Sequence, residues 1–167
     1  LTALLMNRRP NANFALFGPT QEIADIAFDA ARNMVAVDER LSELLHVQDH
    51  LKKITNRHTG ASLKVTTFDV KVATGGKFCG WLLDEAHLLG LVAYADRVIG
   101  QLRGARTAFP ESFGVIITTQ SDVPPAGAFK SELAYARSVR DGRAGKNPTM
   151  LPVLYEFPEE MQTAPEK

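Results

Sequence analysis

Two carboxylates in succession, Asp84 and Glu85, close an apolar run that begins at Phe78 (FCGWLLDEAHLLG, 78–90). A second run, Phe113-Gly114-Val115-Ile116-Ile117, closes in the polar cluster Thr118-Thr119-Gln120. An apolar run that stops in acids is how a strand buried on both faces delivers side chains to a site, because ligands of open α/β sheets bind beyond the carboxyl ends of the strands. In nucleoside triphosphate hydrolysis one such carboxylate holds a magnesium ion or its water, and its neighbour orients or deprotonates the attacking water. Asp84 suits the first task and Glu85 the second, while hydroxyl and amide groups such as those of Thr118, Thr119 and Gln120 can sense a γ-phosphate. Taken alone, Phe78 to Gly90 also admits an amphipathic helix whose Asp and Glu sit in a first turn favoured by the helix dipole. The stretch leaves both readings open.

Other reactive residue types carry less. Cys79 is the sole cysteine, so it forms no internal disulfide, and with four scattered histidines it has no zinc-site spacing. It reads as a small buried residue in the Trp81 strand. His58 lies beside Gly60 and reads as a solvated turn residue. Thr74-Gly75-Gly76-Lys77 reads as a connector, with no helix behind it to cradle a phosphate. Arg97, Arg103 and Arg106 cluster near the end of a predicted helix, where positive charge is favourable. A phosphate-cradling loop requires G-x-x-x-x-G-K-[ST], and none occurs. Gly142-Arg143-Ala144-Gly145-Lys146-Asn147 has the wrong spacing and Asn in place of Ser or Thr.

The elements that must position these groups follow from periodicity. Phe14 to Phe17 is a short apolar strand closed by Gly18-Pro19. Thr20 caps a helix over Gln21 to about Val37 with Ile23, Ala27, Ala30 and Met34 as its stripe, broadened by Ile26 and Val37. A polar helix capped by Asp38 follows to Leu45. Residues 51–72 alternate as two β-rich runs around Arg57 to Gly60, a hairpin. Leu88 to Gly104 has helical spacing, Phe113 to Ile117 reads as a buried strand, Ala128 to about Arg140 as a helix, and Leu151 to Phe157 as a last strand. The acidic tail 158–167 is expected to fray.

At 167 residues, 45% of them hydrophobic and 23% charged, the chain is one ordinary domain. Basic and acidic residues number 19 each, so global charge predicts neither nucleic-acid nor membrane affinity, and a DNA contact requires a local patch. No run approaches the length of a membrane span and no signal-like start is present, which predicts a cytoplasmic protein without a membrane partner. The opening LTALLMNRRPN reads as the last turns of a helix, as in an excised fragment.

Alternating strands and helices predict a three-layer α/β domain with a mainly parallel sheet. LLDEAH resembles the Walker B motif of additional-strand, catalytic-glutamate ATPases, and IITTQ is similar to the coupling motif of translocases. From FGPTQEIADIAF through LLDEAHLLG and GVIITTQSDVPPAGAFKSELAYARSVRDG to LPVLYEFP, the order resembles the ATPase domain of the large terminase subunit of tailed bacteriophages and prophages. The resemblance implies a P-loop NTPase fold truncated at the N-terminus, with a β-hairpin insertion near 51–72 and a partial ATPase domain over 1–157. It implies Asp84 as the magnesium-side acid, Glu85 as the catalytic glutamate, and Thr118, Thr119 and Gln120 as the coupling motif. It also implies ATP and Mg2+ as the parent protein's substrate and cofactor. Its partners would be double-stranded DNA, a portal and procapsid, a small terminase subunit, and copies of itself in a ring in a bacterial host. One of Arg97, Arg103 and Arg106 would act across that ring.

Without the Walker A loop, which in terminases would lie before Leu1, this chain is expected neither to bind ATP tightly nor to turn it over. Two other readings stand beside this one. In the first domain of a DEAH-type superfamily 2 helicase, PTQEIA would contact the strand; in a non-catalytic assembly module, Asp84 and Glu85 would only cap a helix.

Overall fold

The computed structural model describes residues 1–69, 77–104 and 109–157. Residues 1–129 form one compact unit and 130–167 a second. The first holds a six-stranded sheet in the order β2-β3-β4-β1-β5-β6. Its strands are β1 (Asn13–Gly18), β2 (Leu45–Gln48), β3 (Lys53–Asn56), β4 (Ser62–Thr67), β5 (Gly80–Leu83) and β6 (Phe113–Ile116). Strands β4, β1, β5 and β6 run parallel, and β2 and β3 extend the sheet antiparallel. The expected α/β architecture with a mostly parallel sheet is observed.

Local signals set the starts of two helices. Thr20 caps α2 (Gln21–Val37), its hydroxyl accepting from Ile23 N at 3.3 Å, and Asp38 caps α3 (Glu39–Leu44), accepting from Leu41 N at 3.0 Å. The hairpin around Arg57 to Gly60 is β3–β4, with Gly60 at φ +70° in its turn. It is continuous with the main sheet, since β4 pairs in parallel with β1. A short helix α1 (Thr2–Met6) precedes β1, as the opening residues suggest.

Five expectations are corrected, the last of them, for β6, below. The buried stripe of α2 is Ala24, Phe28 and Val35; Ile26, Met34 and Val37 face solvent. The helix is apolar on more than one side, and the side that meets β1 and β4 is the one that counts. The polar helix stops at Leu44, and Leu45 to Gln48 pairs with β3 as β2. The segment 88–104 is two elements, a 3-10 helix over Ala86–Leu91 and α4 over Ala95–Gly104. Leu151 to Phe157 is not a strand: Leu151 and Tyr155 are almost fully exposed, and the segment pairs with no strand among the described residues. Alternation specifies a face, but a strand exists only with a ladder partner. The expectations for 70–76, Arg106 and 158–167 lie outside the described residues.

Apolar side chains pack on both faces of β1 and β5. On one, Phe14, Val65, Ile54 and Cys79 meet α1 and α2 in a cluster with Leu4, Ala24 and Phe28. On the other, Phe17, Phe68, Phe78, Trp81 and Leu83 meet Leu89 and the α4 residues Val98, Ile99 and Leu102. Strand β6, expected to be buried, is an edge strand whose Phe113, Val115 and Ile117 are exposed. Its Gly114 makes a close approach to the Trp81 ring, so that a Cβ there would overlap it. Gly114→Ala is expected to cost about 1–3 kcal/mol by overpacking, measurable as a lower urea midpoint with unchanged slope.

The second unit begins within α5 (Gly127–Arg140). There Glu156 is clasped by Arg137 and by Arg140 Nη1 at 2.7 Å, and Asp141 by Arg140 Nε at 2.7 Å and Arg143 Nη2 at 2.6 Å. Hydrogen bonding from Arg137, outweighing partial desolvation, holds the Glu156 carboxyl below its ordinary 4.5. A carboxyl depressed in the folded state contributes stability above its unfolded pKa, and that contribution is lost as pH falls through the depressed folded value. The clasp should therefore persist at pH 5 and release only below about 4.5, with the Glu156 side-chain carboxyl titrating by NMR under its free value. Exposed ion pairs are worth little energetically, so the shift is the readout.

Candidate active site

Parallel pairing brings the two polar strand ends together. Leu83 of β5 sits between Phe17 of β1 and Ile116 of β6. The ladder continues past the strands: Asp84 N donates to Phe17 O at 3.0 Å, Ile117 N to Leu83 O at 2.9 Å, and Ala86 N to Ile117 O at 3.1 Å. Asp84-Glu85 and Thr118-Thr119 thus leave adjacent strands at one carboxyl edge, where ligands of open α/β sheets bind.

The backbone then turns sharply. Glu85 adopts φ +49°, ψ +48°, a left-handed conformation that costs a non-glycine residue about 1–2 kcal/mol. Asp84 supports the turn, its Oδ1 accepting from Glu85 N at 3.0 Å. Such strain collects where geometry serves a site. The turn redirects the chain so that Glu85 and His87 face the segment that follows β6. Glu85 makes no side-chain cap to the 3-10 helix that follows, so the reading in which these acids merely start an amphipathic helix does not describe this geometry.

Thr119 Oγ1 donates to Glu85 Oε2 at 3.1 Å. His87 Nδ1 lies 3.2 Å from the same Oε2 and 3.1 Å from Thr118 Oγ1, and His87 N donates to that hydroxyl oxygen at 3.1 Å. Thr118 spends its proton on Thr119 O at 2.9 Å. Both atoms facing Nδ1 are therefore acceptors, which assigns the hydrogen of the neutral ring to Nδ1. The ring is further held edge-on to Phe129, with centroids 6.4 Å apart. Phe129 reaches it because Gly90 and Gly127 let their backbones meet; Gly127 has φ +46°, and a Cβ on Gly90 would lie 2.9 Å from Ala126 O. The result is a carboxylate held by the Thr119 hydroxyl, with the His87 ring nitrogen 3.2 Å away and about one-third of the side chain exposed, suited to orienting a small nucleophile.

Of the sequence-predicted residues, Asp84, Glu85, Thr118 and Thr119 are brought together, and Gln120 follows Thr119, exposed at the same edge. Arg97 and Arg103 are exposed on α4. His58 is an exposed turn residue whose backbone N donates to Asn56 Oδ1. His87 is the residue that sequence reasoning left without a role. Its position two residues after Glu85 is informative only once the left-handed turn at Glu85 is known.

No protein-family model matches the sequence, and no curated protein matches it. Among solved structures, the chain is similar to the large terminase of bacteriophage HK97, with TM-score 0.73 and 20% identity, covering 95% of this chain and 32% of that one. It is also similar to the ATPase domain of the Thermus phage P74-26 large terminase, with TM-score 0.53 and 15% identity, covering 74% and 53% respectively. At these identities the likeness is one of fold. The chain spans about a third of the length of the HK97 protein it matches.

Proposed function

We propose that this chain is part of the ATP-hydrolysing motor domain of a tailed-phage or prophage DNA-packaging terminase, carrying the catalytic acids and the coupling motif. The carrying observation is the hydrogen bond from Thr119 to Glu85, seconded by His87, at the shared carboxyl edge of β5 and β6. It supports this reading because contact between a water-orienting carboxylate and a mobile strand end lets hydrolysis bias the position of that strand end. The terminase-like fold raises the same reading above that of a helicase domain.

In this mechanism Glu85 orients a water toward the γ-phosphorus and takes its proton as the new P–O bond forms. The bond to the bridging oxygen breaks and ADP leaves with the electron pair. Thr119 holds Oε2, with His87 Nδ1 3.2 Å from it, leaving the rest of the carboxylate for water. Loss of the γ-phosphate would shift the Thr118 to Gln120 segment, which is tied to Glu85 and His87 and so carries the change into the fold. Asp84 fits a magnesium ion: Oδ1 is engaged by Glu85 N, and Oδ2 has no partner among the described residues. Magnesium takes one or two carboxylates plus waters and phosphates rather than a protein cage. Bound there, it would neutralise phosphate charge.

The parent would act on double-stranded DNA as a ring of identical subunits, with portal, procapsid and small terminase subunit as partners, in the host cytoplasm. No described helix is long and apolar enough to cross a membrane. The 167 residues contain no G-x-x-x-x-G-K-[ST] loop, so this chain alone is proposed to be inactive. The test is ATP turnover by a protein that joins an intact phosphate loop ahead of Leu1, with Glu85 as wild type and as Gln.

A further inference from the structure

The two faces of the sheet are unequal over β2, β3 and β4. One face is apolar and covered: Ile54, Val65 and Leu45 are buried with α2 residues. By register, the other face presents Lys53 opposite Lys64, Thr55 opposite Ser62, and His46 opposite Thr55. The apolar cluster under α4 includes no residue of β2, β3 or β4. This half of the face is therefore polar, and among the described residues no helix residue of that cluster covers it. Lys53, Lys64, Ser62 and Asn13, with Phe78 and Leu51 beside them, line a cleft of about 250 Å³. Ser62 is 5% exposed, and its Oγ donates to Asn13 Oδ1 at 3.3 Å.

The two lysines make this face unusual. Directly opposite residues on neighbouring strands have Cβ atoms about 4.5–5.5 Å apart, and like charges there destabilise the sheet. Neither Lys53 nor Lys64 has a carboxylate within ion-pairing distance among the described residues, although acids elsewhere do pair: Asp25 with Lys52, and Asp29 and Asp49 with Arg32. In a chain with 19 positive and 19 negative side chains, an acid to relieve such a pair is not scarce. An uncompensated cross-strand lysine pair beside the buried Ser62 hydroxyl and the exposed Asn13 amide is complementary to a polyanion. Duplex DNA presents one charge per ~1.7 Å of axis, dense enough to engage both ammonium groups at once.

We propose that the polar face of β2, β3 and β4 docks the phosphodiester backbone of double-stranded DNA, with Lys53 and Lys64 each neutralising a phosphate. This rests on the motor reading for the identity of the polyanion. The contact is of the positioning kind, and it carries no base specificity.

The test is anisotropy of a labelled duplex titrated with the 167-residue chain between about 50 and 200 mM salt. The Lys53→Gln/Lys64→Gln double variant should lower the slope of log affinity against log salt by about 2, equally for duplexes of unrelated sequence. Its melting temperature should hold or rise, since a repulsive pair is removed. Lys52→Gln, whose ammonium lies 3.0 Å from Asp25 on the α2 side, should leave the slope unchanged. The proposal is overturned if the wild-type chain shows no salt-dependent duplex binding, or if the double variant keeps the wild-type slope. Loss of slope in the double variant, together with no ATP turnover by the loop-bearing protein, would uphold the face and overturn the motor reading.

Discussion

Replacing Glu85 by Gln in a protein that also carries an intact phosphate loop is expected to lower ATP turnover by about 10²–10⁴-fold, the usual worth of a positioned general base. The substitution is nearly isosteric. Its amide oxygen can still accept from Thr119, whose hydroxyl lies 3.1 Å from Oε2 in the native chain, so the tie to Thr119 and the left-handed turn are retained. What is lost is basicity. Circular dichroism and melting temperature should therefore stay close to wild type while single-turnover hydrolysis collapses and nucleotide affinity persists. Thr119→Val offers the contrast, since it removes one neutral hydrogen bond and leaves the carboxylate, so its effect on turnover should be nearer tenfold. Equal hydrolysis by the Gln variant would sink the proposed mechanism.

The second large effect is on the scaffold. Phe17→Ala is expected to destabilise the first unit by about 3–5 kcal/mol, a large part of the roughly 5–15 kcal/mol that holds a domain folded. Phe17 is fully buried on β1, and its ring meets Phe78 at 5.8 Å and Phe68 at 6.3 Å, both near 85° in T-shaped geometry. These ring neighbours come from two separate chain segments, so the cavity cannot close by moving one of them. Its carbonyl also receives Asp84 N. A truncated ring should loosen the strand end that aims the acids as well as lower the urea midpoint. An Ala variant within about 1 kcal/mol of wild type would show that the cluster on this face is not the centre of the fold. Phe28→Ala, fully buried under the opposite face, serves as the comparison.

How far the chain could be read in advance depended on the range of the interaction involved. Thr20 and Asp38 cap helices through atoms three residues away, so their roles were legible as spelled. The acids at Asp84 and Glu85 and the polar groups at Thr118 and Thr119 were also legible, because a run apolar enough to be buried has to surface where it turns polar. The stripe of α2 was misread because Ile26 and Met34 keep helical spacing as well as Ala24 and Phe28 do, and only contact with β1 and β4 separates the two sets. Leu45 to Gln48 is too short to carry a period, and it becomes a strand by pairing with β3. Leu151 to Phe157 has the period and lacks the pair.

By itself, then, the sequence determined which residues stand at strand ends, where helices begin, and that two polar clusters exist with the chemistry of a phosphate-handling site. These are consequences of burial and of bonds spanning a few residues. That Asp84-Glu85 and Thr118-Thr119 share one edge, and that a left-handed Glu85 turns His87 onto Thr118, was decided by the tertiary structure. Residues more than thirty positions apart in the chain meet there because parallel pairing of β5 and β6 sets their register. No local pattern encodes that register.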